Sequence, residues 1–117
     1  MPYRKIVIKD SLTTPKGGDC LNEKFLEQKL MKRAAAQGGW ALKLVCPGTS
    51  GVPDRLVLMP GGIAAFVEVK APGEKPRALQ LVQMRKLKQL GFPVFVLDDA
   101  DQIETILEEV SHGVSSA

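Results

Sequence analysis

The sequence has 117 residues, is 44% hydrophobic and 25% charged, and carries a formal net charge of +3 with a pI near 9.0. That is enough chain for one domain with a real core and too little for two. No run approaches the ~20 apolar residues of a membrane span and no apolar signal region opens the chain, so cytoplasmic residence is expected.

Cys20 and Cys46 fit neither a metal spacing nor a disulfide framework. The single histidine, His112, falls in a Gly/Ser-containing tail, which removes histidine bases and histidine-rich metal sites from consideration.

Residues 1–21 read as an N-terminal extension. Tyr3–Lys9 has the makings of an edge strand with Arg4, Lys5 and Lys9 on it, and Thr13–Gly18 is a loop by composition. A helix is expected from Asn22 to Gln37, capped by Asn22 and ended by Gly38-Gly39. Leu26, Leu30, Met31 and Ala34 form its apolar face, and Glu23 and Glu27 intrude on that arc. Glu23 suits the first turn, where the helix dipole favours an acid. Glu27 is mid-helix, where an inward carboxylate needs a partner or a metal. Phe25 lies off the apolar face and is a candidate contact for a second copy.

Trp40–Cys46 reads as a strand with Trp40, Leu42 and Leu44 on one face, Trp40 being expected in the core. Pro47–Gly51 is a small-residue loop. Two apolar runs then follow, Leu56–Met59 and Ile63–Val67, around Pro60-Gly61-Gly62. This pattern predicts a β-hairpin. About Gly61 as centre, Asp54 lies seven residues before and Glu68 seven after. A regular hairpin therefore sets them opposite each other, with Cβ atoms roughly 5 Å apart. The period of two places Glu68 and Lys70 together on one face. Two carboxylates ~4 Å apart repel by several kcal/mol at an effective dielectric near 20. Something positive belongs between them: the Lys70 ammonium, or a divalent ion such as Mg²⁺ that accepts a few hard oxygens and keeps its waters. Taken alone, a Glu-x-Lys at a strand end is an ordinary ion pair, and Pro53-Asp54 an ordinary turn.

Ala71–Pro76 is a loop. A second helix is expected from Arg77 to Leu90, burying Leu79, Met84, Leu87 and Leu90, with Gln80 and Gln83 in the same arc. Pro93–Leu97 reads as an interior strand. Asp99–Gln102 resembles a capping box before a last helix marked by Ile103, Ile106, Leu107 and Val110. Residues 111–117 are expected to be disordered, leaving 22–110 as the domain. The order is α-β-β-β-α-β-α, an α/β fold with a mixed sheet flanked by helices.

Pro53-Asp54 followed by Glu68-Val69-Lys70 resembles the PD-(D/E)xK signature of restriction-endonuclease-like nucleases. The fuller string Gly51-Val-Pro-Asp-Arg55, with Glu68-Val-Lys70-Ala-Pro and Gln80 downstream, is similar to the VRR-NUC branch, which includes small stand-alone nucleases of phages and bacteria. The resemblance spans about residues 22–97. It implies a restriction-endonuclease-like core and a metal-dependent endonuclease using Mg²⁺ or Mn²⁺. By the same resemblance Asp54, Glu68 and the Val69 carbonyl would be metal ligands, and Glu27 (with Glu23 as the alternative) would hold a metal water or second ion. Lys70 would orient or deprotonate the attacking water, and Gln80 would support the site. Branched DNA such as Holliday junctions or flaps would be the substrate and a homodimer the working form. Two other readings stay open: a non-catalytic nucleic-acid-binding module with a structural acidic cluster, and a small interaction domain using the acidic last helix.

Overall fold

The computed structural model describes residues 22–112. The expectations for residues 1–21 and for 113–117 lie outside them. Helix α1 (Glu23–Ala36) starts where the Asn22 side chain accepts the Phe25 N–H at 2.9 Å. Strands β1 (Trp40–Lys43), β2 (Arg55–Met59) and β3 (Ile63–Val69) form an antiparallel meander. Helix α2 (Ala78–Gln89) then leads to β4 (Val94–Leu97), parallel to β3, and α3 (Ile103–Ser111) follows a 3₁₀ turn at Ala100–Gln102. The sheet order is β1-β2-β3-β4. The α/β class and element order are as expected.

Helices α1 and α3 cover one face of the sheet. Leu26, Leu30 and Ala34 of α1 and Ile103, Ile106, Leu107 and Val110 of α3 pack against Ala41, Val57, Ala65, Val67, Val69 and Leu97. The apolar spacing of both helices is thus their buried face. Phe25, the candidate contact for a second copy, is half-buried and packs partly against this core. Gly39 lets α1 turn into β1: a Cβ there would overlap the Met59 sulfur and stand 2.6 Å from the Leu58 carbonyl oxygen.

Among the described residues the opposite face carries only α2, which lies against β4. This explains three departures from expectation. Trp40 is not a core residue but 62% exposed, because it lies on the α2 face at β1, whereas α2 packs over β4 at the far end of the sheet. Leu79 and Leu90 are exposed at the ends of α2, while Gln80 and Met84 between them are buried. Among the described strands β4 is at the sheet's edge, not interior; its apolar side chains are covered by helices on both faces. Ser111, expected in a disordered tail, closes α3 and His112 caps it.

Candidate active site

The hairpin register decides where the carboxylates go. Met59 pairs with Ile63 and Arg55 with Val67. Gly61 and Gly62 make the turn at φ +99° and +78°, the left-handed region that glycine enters freely. No bulge interrupts β2 and β3, and carrying their register one residue past Arg55↔Val67 sets Asp54, just before β2, opposite Glu68. Asp54 is held there from both sides: its backbone carbonyl accepts the Leu44 N–H at 2.8 Å, and its Oδ2 accepts the Val69 N–H at 3.0 Å.

Glu68 is a charged side chain at 1% exposure in the middle of a sheet. Its Oε2 accepts from Gln80 Nε2 at 2.7 Å and lies 3.6 Å from the Lys70 ammonium. Gln80 is itself fixed, its Oε1 accepting the Arg77 N–H at 2.8 Å at the start of α2. The other oxygen, Oε1, is buried and has no hydrogen-bond partner among the described residues. Burial first, and the neighbouring Asp54 carboxylate second, push the Glu68 pKa up to about 7; Lys70 and the Asp54 backbone N–H oppose the shift. A carboxylate raised by a like charge is a site short of a cation.

The structure therefore brings Asp54, Glu68, Lys70 and Gln80 together, with the Val69 amide as a further anchor. Gln83 instead donates to the Ser50 carbonyl at 2.9 Å and ties α2 to the loop before Asp54. Gly51, in that loop at φ +87°, lies under Leu79, whose Cγ would be 2.9 Å from an added Cβ.

Glu27 is not brought in. Arg55 pairs across the ladder with Val67, so it points to the α1 face, the opposite side from Glu68. There Glu27 Oε1 accepts from Arg55 Nη2 at 2.8 Å and Nε at 3.1 Å. The structure thus pairs Glu27 with Arg55 on the α1 face and does not bring it to Asp54 and Glu68, where the family resemblance would place it as a metal ligand. Glu23, the alternative, sits half-buried in the first turn of α1. Among the described residues no three His, Cys, Asp or Glu side chains form a group able to hold a metal.

No family model matches the chain. A solved structure described as a VRR_NUC domain superimposes with a TM-score of 0.70 at 36% identity, over 74% of this chain and 94% of its own. A phage protein named "Putative nuclease p44", from Acyrthosiphon pisum secondary endosymbiont phage 1, is 46% identical over 91 residues. That match covers 78% of this chain and 97% of the relative. The chain belongs to the VRR-NUC family of nucleases.

The donor set of this VRR-NUC chain fits a hard divalent cation. Two carboxylates face each other, one of them with a buried oxygen unclaimed by any donor. A site with so few protein ligands suits an ion that keeps several waters. The residue that the sequence left without a role is Arg55. Its signal was present: strand alternation puts the residue after Asp54 on the core side, where a cation needs a counter-charge, and Glu27 was the unpaired acid facing the same core.

Proposed function

We propose that this nuclease hydrolyses DNA phosphodiester bonds internally with Mg²⁺ or Mn²⁺ bound by Asp54 and Glu68, acting at branched structures such as Holliday junctions or flaps. The observation that carries this is the buried, partnerless Oε1 of Glu68 beside Asp54. A polar atom so placed is costly unless something binds it. A bound divalent ion there supplies Lewis acidity and lowers the pKa of a coordinated water.

The residues then divide the work. Gln80 and Lys70 claim Glu68 Oε2 and leave Oε1 for the cation. Asp54 offers its carboxylate from the facing strand, fixed by the Val69 amide; the Val69 carbonyl is the third ligand by family likeness. Lys70, mostly buried, orients the attacking water and offsets charge on the phosphoryl group.

Two further features support a polyanionic substrate and a paired enzyme. Lys75, Arg77, Arg85, Lys86 and Lys88 on and before α2 are exposed, and among the described residues none makes an ion pair. Helix α2 contains no acid, while α3 carries Glu104, Glu108 and Glu109. A four-way junction has two-fold symmetry, so two symmetric cuts call for a symmetric dimer. Trp40, Leu81 and Val82 are exposed apolar side chains available to such an interface.

The test is cleavage of junction, flap and linear duplex DNA in Mg²⁺ or Mn²⁺, with gel filtration alongside. Cutting that EDTA, Asp54→Asn and Lys70→Ala each abolish, with DNA binding kept, is the expected result. Cutting that persists in Asp54→Asn rejects the site. Equal cutting of linear duplex rejects the branched substrate, and a monomer rejects the dimer.

A further inference from the structure

The Arg55 guanidinium joins three elements beneath the catalytic strand. At 8% exposure it donates twice to Glu27 of α1 and, through Nη1, to the Ala41 carbonyl of β1 at 3.3 Å. Lys43 adds a weaker charge contact, its Nζ 3.8 Å from Glu27 Oε1. Arg55 is also the residue immediately after Asp54. Asp54 immediately precedes β2 and continues its pairing, its carbonyl accepting the Leu44 N–H. The alternation of an extended chain therefore carries Asp54 to the face opposite Arg55, and fixing one constrains the other.

We propose that Glu27 and Arg55 are a positioning pair for Asp54: Glu27 serves the reaction by locking Arg55, and through it the direction of the Asp54 carboxylate, instead of binding the metal. This rests on the role given to Asp54 above. Three things on the page support it. Glu27 Oε1 already takes two guanidinium N–H groups, which a metal would have to displace. The cross-strand partner of Arg55, Val67, belongs to the α1-facing core, and Glu68 follows it on the other face. The Asp54 backbone carbonyl accepts the Leu44 N–H just beyond β1 and its Oδ2 accepts the Val69 N–H of β3, while the next residue, Arg55, ties the same stretch of chain to α1 through Glu27.

The experiment separates a ligand from a positioning residue. Mn²⁺ affinity is measured by calorimetry without DNA, thermal unfolding is measured with and without Mn²⁺, and single-turnover cutting of a four-way junction is followed. Glu27→Gln keeps an acceptor oxygen for Arg55, so Mn²⁺ affinity should stay within about 3-fold of the parent. Loss of a direct carboxylate ligand should cost about 100-fold or more, at or beyond what outer partners usually cost. Glu27→Leu and Arg55→Met should each weaken Mn²⁺ binding by about 10-fold and lower the unfolding temperature. The double variant should regain the unfolding temperature, because no unpaired charge is left buried. It should keep the weak Mn²⁺ binding, no worse than either single change, because the pair acts as a unit.

A 100-fold loss in Glu27→Gln would overturn the proposal in favour of direct ligation. A double variant that regains both stability and Mn²⁺ affinity would overturn it in favour of a purely structural pair. Asp54→Asn serves as the control: if it binds Mn²⁺ as the parent does, the site assignment itself falls, and the role of the pair with it.

Discussion

Gln80 on α2 donates to Glu68 on β3 at 2.7 Å, and the same bond decides which carboxylate oxygen remains free. The amide is aimed by its own acceptor bond from the Arg77 N–H, so the helix start, the glutamine and the carboxylate form one chain of hydrogen bonds.

Gln80→Leu should therefore act through Glu68. Losing the donor strips a buried carboxylate of its shortest contact, at a cost of about 1–3 kcal/mol in stability. It should weaken metal binding and cutting by about 10–100-fold, as loss of a ligand's outer partner generally does. Denaturant unfolding and Mn²⁺ titration of the same variant check both. A Gln80→Leu protein with parental metal affinity would remove Gln80 from the site.

The raised Glu68 pKa has a definite sign in stability. Below pH 4.5 the group is protonated in both folded and unfolded chains, and the contribution is fully present. Between about 4.5 and 7 the unfolded chain gives up its proton while the folded one keeps it, so stability falls as pH rises. The loss is on the order of 3 kcal/mol at most. Unfolding in EDTA across this window should show the fall, Glu68→Gln should flatten it, and Mg²⁺ at pH 8 should reverse it. A metal-free parent whose pH profile matches that of Glu68→Gln would contradict the assignment.

Lys70 should show a split between binding and turnover. It lies beside Glu68 and is mostly buried, so it contributes little to nonspecific attraction of a polyanion. Lys70→Met is expected to lower the single-turnover rate by about 100-fold or more, the scale at which a group stabilising transition-state charge acts. Junction affinity in Ca²⁺ should change by less than about 3-fold, since one phosphate contact is a small part of such binding. Equal losses in both would make Lys70 a DNA anchor.

Gly39→Ala tests the close passage between α1 and β1. The new methyl would stand 2.6 Å from the Leu58 carbonyl oxygen, a backbone atom that cannot swing aside. Overpacking of this kind costs about 1–3 kcal/mol. Denaturant unfolding should register that loss with the metal affinity per folded molecule unchanged, because Asp54 and Glu68 lie at the other end of β2 and β3.

Much of this arrangement was legible in the chain. The symmetric placement of Asp54 and Glu68 about Gly61 became the observed ladder because two glycines can take the turn without a bulge. The apolar spacing of α1 and α3 named their buried faces. What periodicity does not carry is which face of the sheet is covered. Trp40 has an apolar side chain in the right alternation, yet α2 packs over β4 and leaves β1 uncovered on that face; Leu79, in the first turn of α2, lies over the Gly51 loop and stays half exposed. Glu27 was legible as an acid needing a partner, and the family resemblance offered it a metal to hold. The competing answer, Arg55, needed the register of three strands and α1 at once.

Trp40 is the sequence's single tryptophan, and it begins the outer strand opposite Leu58, about 13 Å along β2 from Asp54 at ~3.3 Å per residue. The protein thus carries one indole fluorophore, open to water and remote from the chemistry. Its emission should stay long-wavelength and indifferent to cation loading, yet shift to the blue when anything, a sister subunit or a nucleic-acid arm, settles along that rim.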